Sequence, residues 1–244
     1  MVDVAAGRFG IGSVIGRGFG VLFRNIVPFG VLALVVTSPT YIYAIATAGS
    51  PFAMAGEQIV LWIVQVLLTY VVTAALVYGT FQDLRGQHRG IGDIVGRGLS
   101  TMLPVIGVAI LVFICFFIGF ILLFVPGVFV AIVLWVAIPV AVVERPGVFA
   151  SLSRSAELTK GFRWRILAVV VILFVIQLLI NTVAGFVFGF SVVASGGSGL
   201  SIVPLWVLQA FTTALYAVVG TVGYHDLRVR KEGVDVEELA AVFD

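Results

Sequence analysis

Six apolar runs, near 26–48, 58–81, 102–124, 128–143, 165–190 and 204–225, divide this chain, and a helix of roughly 20 such residues crosses a hydrocarbon layer. Continuous alternation of apolar and polar residues is absent, so the backbone must be satisfied within helices and not by closing a barrel. With 61% hydrophobic and 11% charged residues, the chain is too apolar to present a water-compatible surface. The expected class is an all-α polytopic membrane protein, with six transmembrane helices in a single integral membrane domain over 1–244.

The basic residues divide the connections into two kinds. Arg8, Arg17 and Arg24 precede the first run, and Arg85, Arg89 and Arg97 lie between the second and third. Arg145, Arg154, Lys160, Arg163 and Arg165 lie around the fourth connection, and Arg228, Arg230 and Lys231 follow the sixth run. Together these are all 14 Lys and Arg, and the alternate connections at 49–57, 125–127 and 191–203 hold none. The positive-inside rule then predicts that both termini are cytoplasmic. Because this charge is dispersed and not pooled in one patch, nucleic acid is not an expected partner. Residues 1–25 lack the pattern of a cleaved signal peptide. The lone Cys115 permits no intramolecular disulfide and reads as an apolar filler.

A repeat organises the chain further. The stretch GIGSVIGRGF, Gly10–Phe19, returns as GIGDIVGRGL, Gly90–Leu99, with six of ten positions identical. On a helical wheel Ile11, Val14, Ile15, Phe19, Leu22, Phe23 and Ile26 share one face, opposite Ser13, Arg17 and Arg24. The second copy sets Ile91, Ile94, Val95, Leu99 and Met102 against Asp93, Arg97 and Ser100. Both read as amphipathic helices lying in the membrane interface. A diverged third version, Val148–Arg165, places Phe149, Leu152, Ala156 and Phe162 toward lipid and Arg154, Glu157 and Lys160 toward water. The second and sixth runs share LWIVQ and LWVLQ, and DLR closes both. The expectation is three parallel units, about 9–85, 89–145 and 147–228, each an interfacial helix followed by a transmembrane hairpin. Gly12, Gly16 and Gly20, like Gly92 and Gly96, predict close helix approach. In the tail 229–244, Asp235 and Glu238 form a helix-start signal ahead of Val236, Leu239, Ala240 and Phe243, so a short cytoplasmic helix is expected.

Ionisable residues are missing from the interiors of the runs, and His88 and His225 have no metal-site spacing; no metal, cofactor or catalytic residue is expected. The polar residues within the runs include Gln65, Gln177, Asn181 and Gln209, expected to hydrogen-bond between helices or to line a polar intramembrane cleft. Trp62, Trp164 and Trp206 suit membrane boundaries, whereas Trp135 reads as core.

Pro126 and Gly127, Pro139, Glu144, Gly147, Arg154–Arg165 and Tyr224–Asp235, with Arg24, Asn25 and Pro28, follow a recognisable pattern. It resembles the membrane domain named after bacterial glycerophosphoryl diester phosphodiesterases, over nearly the whole chain. The resemblance implies a six-helix bacterial cytoplasmic (inner) membrane protein without the soluble catalytic barrel. The expected function is therefore that of a non-enzymatic scaffold or accessory protein. It would bind membrane lipids through Arg17, Arg97, Arg154, Lys160, Arg163 and Arg165, and associate with a protein partner or with itself. A transporter or permease-like protein with a polar cleft is the alternative.

Overall fold

The computed structural model describes residues 10–46, 55–87, 90–194 and 202–232. Among the described residues ten helices connect in the order α1 (Ile11–Arg24), α2 (Ile26–Ala46), α3 (Ala55–Leu84), α4 (Ile91–Ser100), α5 (Met102–Leu122), α6 (Phe124–Val133), α7 (Ala137–Val143), α8 (Val148–Thr159), α9 (Arg163–Ala194) and α10 (Ile202–Glu232). Six segments of the described residues are long and apolar enough to cross a membrane, as the sequence predicts: Ile26–Tyr43, Ile59–Leu84, Met102–Leu122, Val125–Val143, Arg163–Phe188 and Val203–Glu232. The expected tail helix lies outside the described residues.

Proline marks where these helices begin. Pro28, Pro104, Pro126, Pro139 and Pro204 each occupy the third residue of a helix, in the first turn, where a missing N–H removes no intrahelical bond. Pro139 also explains the break between α6 and α7. Its ring would clash with the carbonyl of the residue four positions earlier, Trp135, and it has no N–H to donate there. The fourth apolar run accordingly turns at 134–136 instead of forming one rod. At the break the Ala137 N–H bonds Leu134 O at 3.1 Å, so the Val133 carbonyl loses its helical donor. Two hydroxyls of α8 replace it: Ser155 Oγ donates to Val133 O at 2.8 Å and Thr159 Oγ1 at 3.3 Å. Broken helices are tolerated at membrane depth only where such partners exist.

The core gathers around α10. Over half of its span, 56%, is buried, against 17% for α9. Leu215, Val218, Val219, Val222 and Leu227 of α10 pack with Val72 and Leu76 of α3 and with Val140 and Val142 of the half-helix α7.

The amphipathic helices depart from expectation in what they face. Val14, Val21 and Leu22 of α1 are buried against protein, mainly α10, and only part of the apolar stripe, including Phe23 and Ile26, stays exposed. In α8 the buried face is Ser151, Ser155, Leu158 and Thr159, because the break in α6–α7 needs hydroxyl donors; Phe149 is exposed. The close approach also falls on other glycines than expected. A Cβ on Gly12, Gly16, Gly20, Gly92 or Gly96 would meet nothing within 4 Å. One on Gly18 would meet Val219 Cγ2 at 2.7 Å, and one on Gly98 would meet Ala75 Cβ at 2.9 Å and Val71 O at 3.0 Å. Gly18 and Gly98 hold the same position in the two sequence copies, and Val219 stands after Gln209 as Ala75 stands after Gln65.

The turn between α5 and α6 differs as well. Expected far from the basic connections, it lies beside the basic start of α9: Val125 and Phe129 share a lateral apolar cavity of about 470 Å³ with Arg163, Trp164 and Leu167.

Candidate functional site

Charge concentrates where α1, α8 and the ends of α3, α7 and α10 meet. Asp83 and Asp226, from the two DLR motifs, are nearly buried inside helix ends, and α1 supplies an arginine to each. Arg24 pairs with Asp83 and Arg17 with Asp226. A buried carboxylate without a partner is costly, so these pairs fix how α1 sits across the bundle.

A second network joins α7, α8 and the end of α10. The Tyr224 hydroxyl donates to Glu144 Oε1 at 2.8 Å, and Arg154 Nε donates to Glu144 Oε2 at 3.1 Å. Arg154 also meets Glu157 at 3.3 Å and Glu232, while Arg228 donates to Glu232 at 3.0 Å and to Tyr224 at 3.3 Å. The Lys231 ammonium donates to the carbonyl of Glu157. Burial alone would lower the Arg154 pKa; the carboxylates of Glu144 and Glu157 outweigh it and leave the guanidinium above its ordinary value.

The basic residues expected to hold headgroups thus divide. Arg17 and Arg154 are engaged with carboxylates. Arg97 and Arg163 meet no carboxylate among the described residues: Arg97 lies over the Tyr78 ring at 5.3 Å and Arg163 over the Phe129 ring at 4.8 Å, each with a buried Nε. Lys160 is exposed and Arg165 half-buried.

Arg145, which the sequence reading did not single out, joins Arg97. Its guanidinium donates to Ser100 Oγ at 3.1 Å, and Ser100 Oγ donates to Arg97 O at 3.0 Å. Burial and the nearby charge of Arg97 lower the Arg145 pKa, with Tyr78 acting in the opposite sense. Arg145 adopts φ 56° and Gly147 φ 98°, folding the chain sharply from α7 into α8 and bringing Arg145 back over α4. The sequence clue was Glu-Arg-Pro-Gly closing an apolar run.

The intramembrane amides divide too. Gln65 accepts from Thr40 and donates to Thr69 at 3.4 Å, beside a nearly closed void of about 10 Å³ that Gln209 and Trp206 also line. Gln177 donates to Asn181 at 3.1 Å. Gln177 and Gln209 converge on a larger cleft of about 450 Å³, with Thr73, Thr212, Thr213 and Tyr216. Gln65 and Asn181 are not part of that cleft's lining. Trp135 forms one wall, packed so closely on α10 that a Cβ on Gly223 would lie 2.3 Å from its ring.

No group of three or more His, Cys, Asp and Glu side chains among the described residues could hold a metal ion. Compared with family models, curated proteins and solved structures, the chain matches none.

Proposed function

We propose that this is a non-enzymatic membrane scaffold or accessory protein that holds anionic lipid at its charged end. The observation that carries the reading is the Arg97–Arg145 pair. The Arg145 guanidinium, bonded to the Ser100 hydroxyl at the end of α4, feels the positive charge of Arg97, neither arginine meets a carboxylate among the described residues, and such a pair is stabilised when an anion bridges it. A phosphate group at the membrane surface supplies that charge. Lys160 and Arg163 add positive charge at the connection between α8 and α9, and Arg17 and Arg154 serve indirectly, by holding α1 and α8 in place. The alternation of basic connections supports cytoplasmic termini, and the resemblance of the motifs supports the inner membrane of a bacterium. A protein partner or a second copy would dock on this same end.

Native mass spectrometry of the detergent-solubilised protein tests the proposal. At about 1 kcal/mol per basic residue, Arg97→Gln with Arg145→Gln should weaken retention of phosphatidylglycerol about thirtyfold relative to phosphatidylethanolamine. Equal retention by the double variant and the wild type would overturn it. The cleft at Gln177 and Gln209 supports a second reading, a permease-like protein with a polar path between its helices.

A further inference from the structure

The cleft walled by α3, α7, α9 and α10 restricts its occupant by chemistry and by position. At about 450 Å³ it falls within the size range of small-ligand sites. Every polar group on its surface is neutral: the amides of Gln177 and Gln209 and the hydroxyls of threonine and Tyr216. An ion placed there would lose its hydration without meeting a counter-charge. Among the described residues nothing pairs with the side-chain amide of Gln209, and Gln177 spends one N–H on Asn181, which leaves donors and acceptors facing the space. Donors and acceptors together suit hydroxyl groups, which both give and accept hydrogen bonds.

The remaining wall is apolar, formed by Trp135, Ile138, Pro139 and Ala217. Gln177, Gln209 and Tyr216 lie well inside the apolar spans of α9 and α10, and Gln209 and Tyr216, which line the cleft, are exposed. The opening therefore faces the hydrocarbon layer and not a connecting loop. We propose that this cleft holds the uncharged hydroxyl headgroup of a neutral lipid, of which a diacylglycerol is the simplest example. The headgroup meets the two glutamines, and the acyl chains leave past Trp135 and Ile138 into the bilayer. The broken helix makes the site: the turn at 134–136 swings Trp135 and Pro139 away from a continuous rod and leaves the space between α7 and α9 unfilled.

Gly220 gives a test that removes no polar group. It lines the cleft, its Cβ position meets nothing within 4 Å, and its backbone is helical, so Gly220→Leu directs an alkyl side chain into the space without backbone strain. The detergent-solubilised full chain is incubated with dioctanoylglycerol, dioctanoyl phosphatidylglycerol or glycerol and read by native mass spectrometry and by melting temperature. The wild type should retain dioctanoylglycerol and melt higher with it. Gly220→Leu should lower that retention about tenfold while keeping phosphatidylglycerol, and Gln177→Leu with Gln209→Leu should do the same. The Arg97→Gln, Arg145→Gln variant should show the reverse pattern, so failure of either site is distinguishable from failure of the other. Undiminished dioctanoylglycerol retention in a folded Gly220→Leu protein would overturn the proposal. Displacement of dioctanoylglycerol by free glycerol would overturn the assignment to a lipid.

Discussion

Removing the two hydroxyls that reach the Val133 carbonyl should unfold this protein more readily than their number suggests. Ser155 Oγ lies 2.8 Å from that oxygen and Thr159 Oγ1 lies 3.3 Å away, and Ser155 and Thr159 are fully buried, at 0% exposure. The Ser155→Ala change removes the shorter bond but leaves the longer one, so it should cost about 1 kcal/mol. Thr159 also donates to Ser155 O at 2.9 Å, and its hydroxyl is therefore shared; Thr159→Val should cost about 0.5 kcal/mol. With both gone, the carbonyl has neither a helical donor nor a hydroxyl, and its unmet hydrogen bond adds about 1 to 2 kcal/mol beyond the sum. The double variant should thus lose about 3 kcal/mol. Reversible unfolding by dodecyl sulfate in mixed micelles, followed by tryptophan fluorescence and by circular dichroism, measures all four corners of the cycle. Trp135, two residues from the carbonyl, reports the break directly. A double variant within about 0.5 kcal/mol of the wild type, or strict additivity, would refute the claim that α8 stabilises the broken helix through these bonds.

Two further outcomes are expected. Arg145 holds a left-handed backbone conformation that asparagine adopts at lower cost, so Arg145→Asn should stabilise the same unfolding equilibrium by about 0.5–1 kcal/mol and Arg145→Val should destabilise it; a more stable valine variant would exclude strain at this turn. In a background lacking Cys115, cysteines at Ser50 and Ser198 should react with an impermeant thiol reagent in intact cells and one at Ser100 should not, because the basic connections stay inside; labelling at Ser100 would reverse the orientation.

How much was legible in the sequence follows from the range of the forces involved. Six apolar runs dictate an all-helical membrane protein because a hydrocarbon layer leaves the backbone no partner but itself, and that constraint acts run by run. The amphipathic pattern of Gly10–Phe19 and Gly90–Leu99 gives two helices for an equally local reason. What each helix faces is another matter. Apolar residues satisfy lipid and protein alike, so periodicity could not tell that Val14 and Leu22 pack on protein while Phe23 stays exposed. Nor could it separate Gly18, pressed against Val219, from Gly16, which touches nothing.

The polar sites depended still more on tertiary structure. Arg17, Arg97 and Arg154 are alike in sequence, each on the polar face of an amphipathic helix. Only the positions of Asp226, Glu144, Glu157 and Glu232 decide that Arg17 and Arg154 are neutralised and Arg97 is left beside Arg145. Gln65 and Gln209 likewise hold matching positions, yet Thr40 and Thr69 satisfy the first while the second opens on a cleft created by Pro139 and the half-helix α7. Local sequence sets secondary structure and membrane depth because the solvent enforces them on each segment separately. Pairing of charges and the shaping of voids depend on distances between segments far apart in the chain, and those distances exist only once the helices have packed.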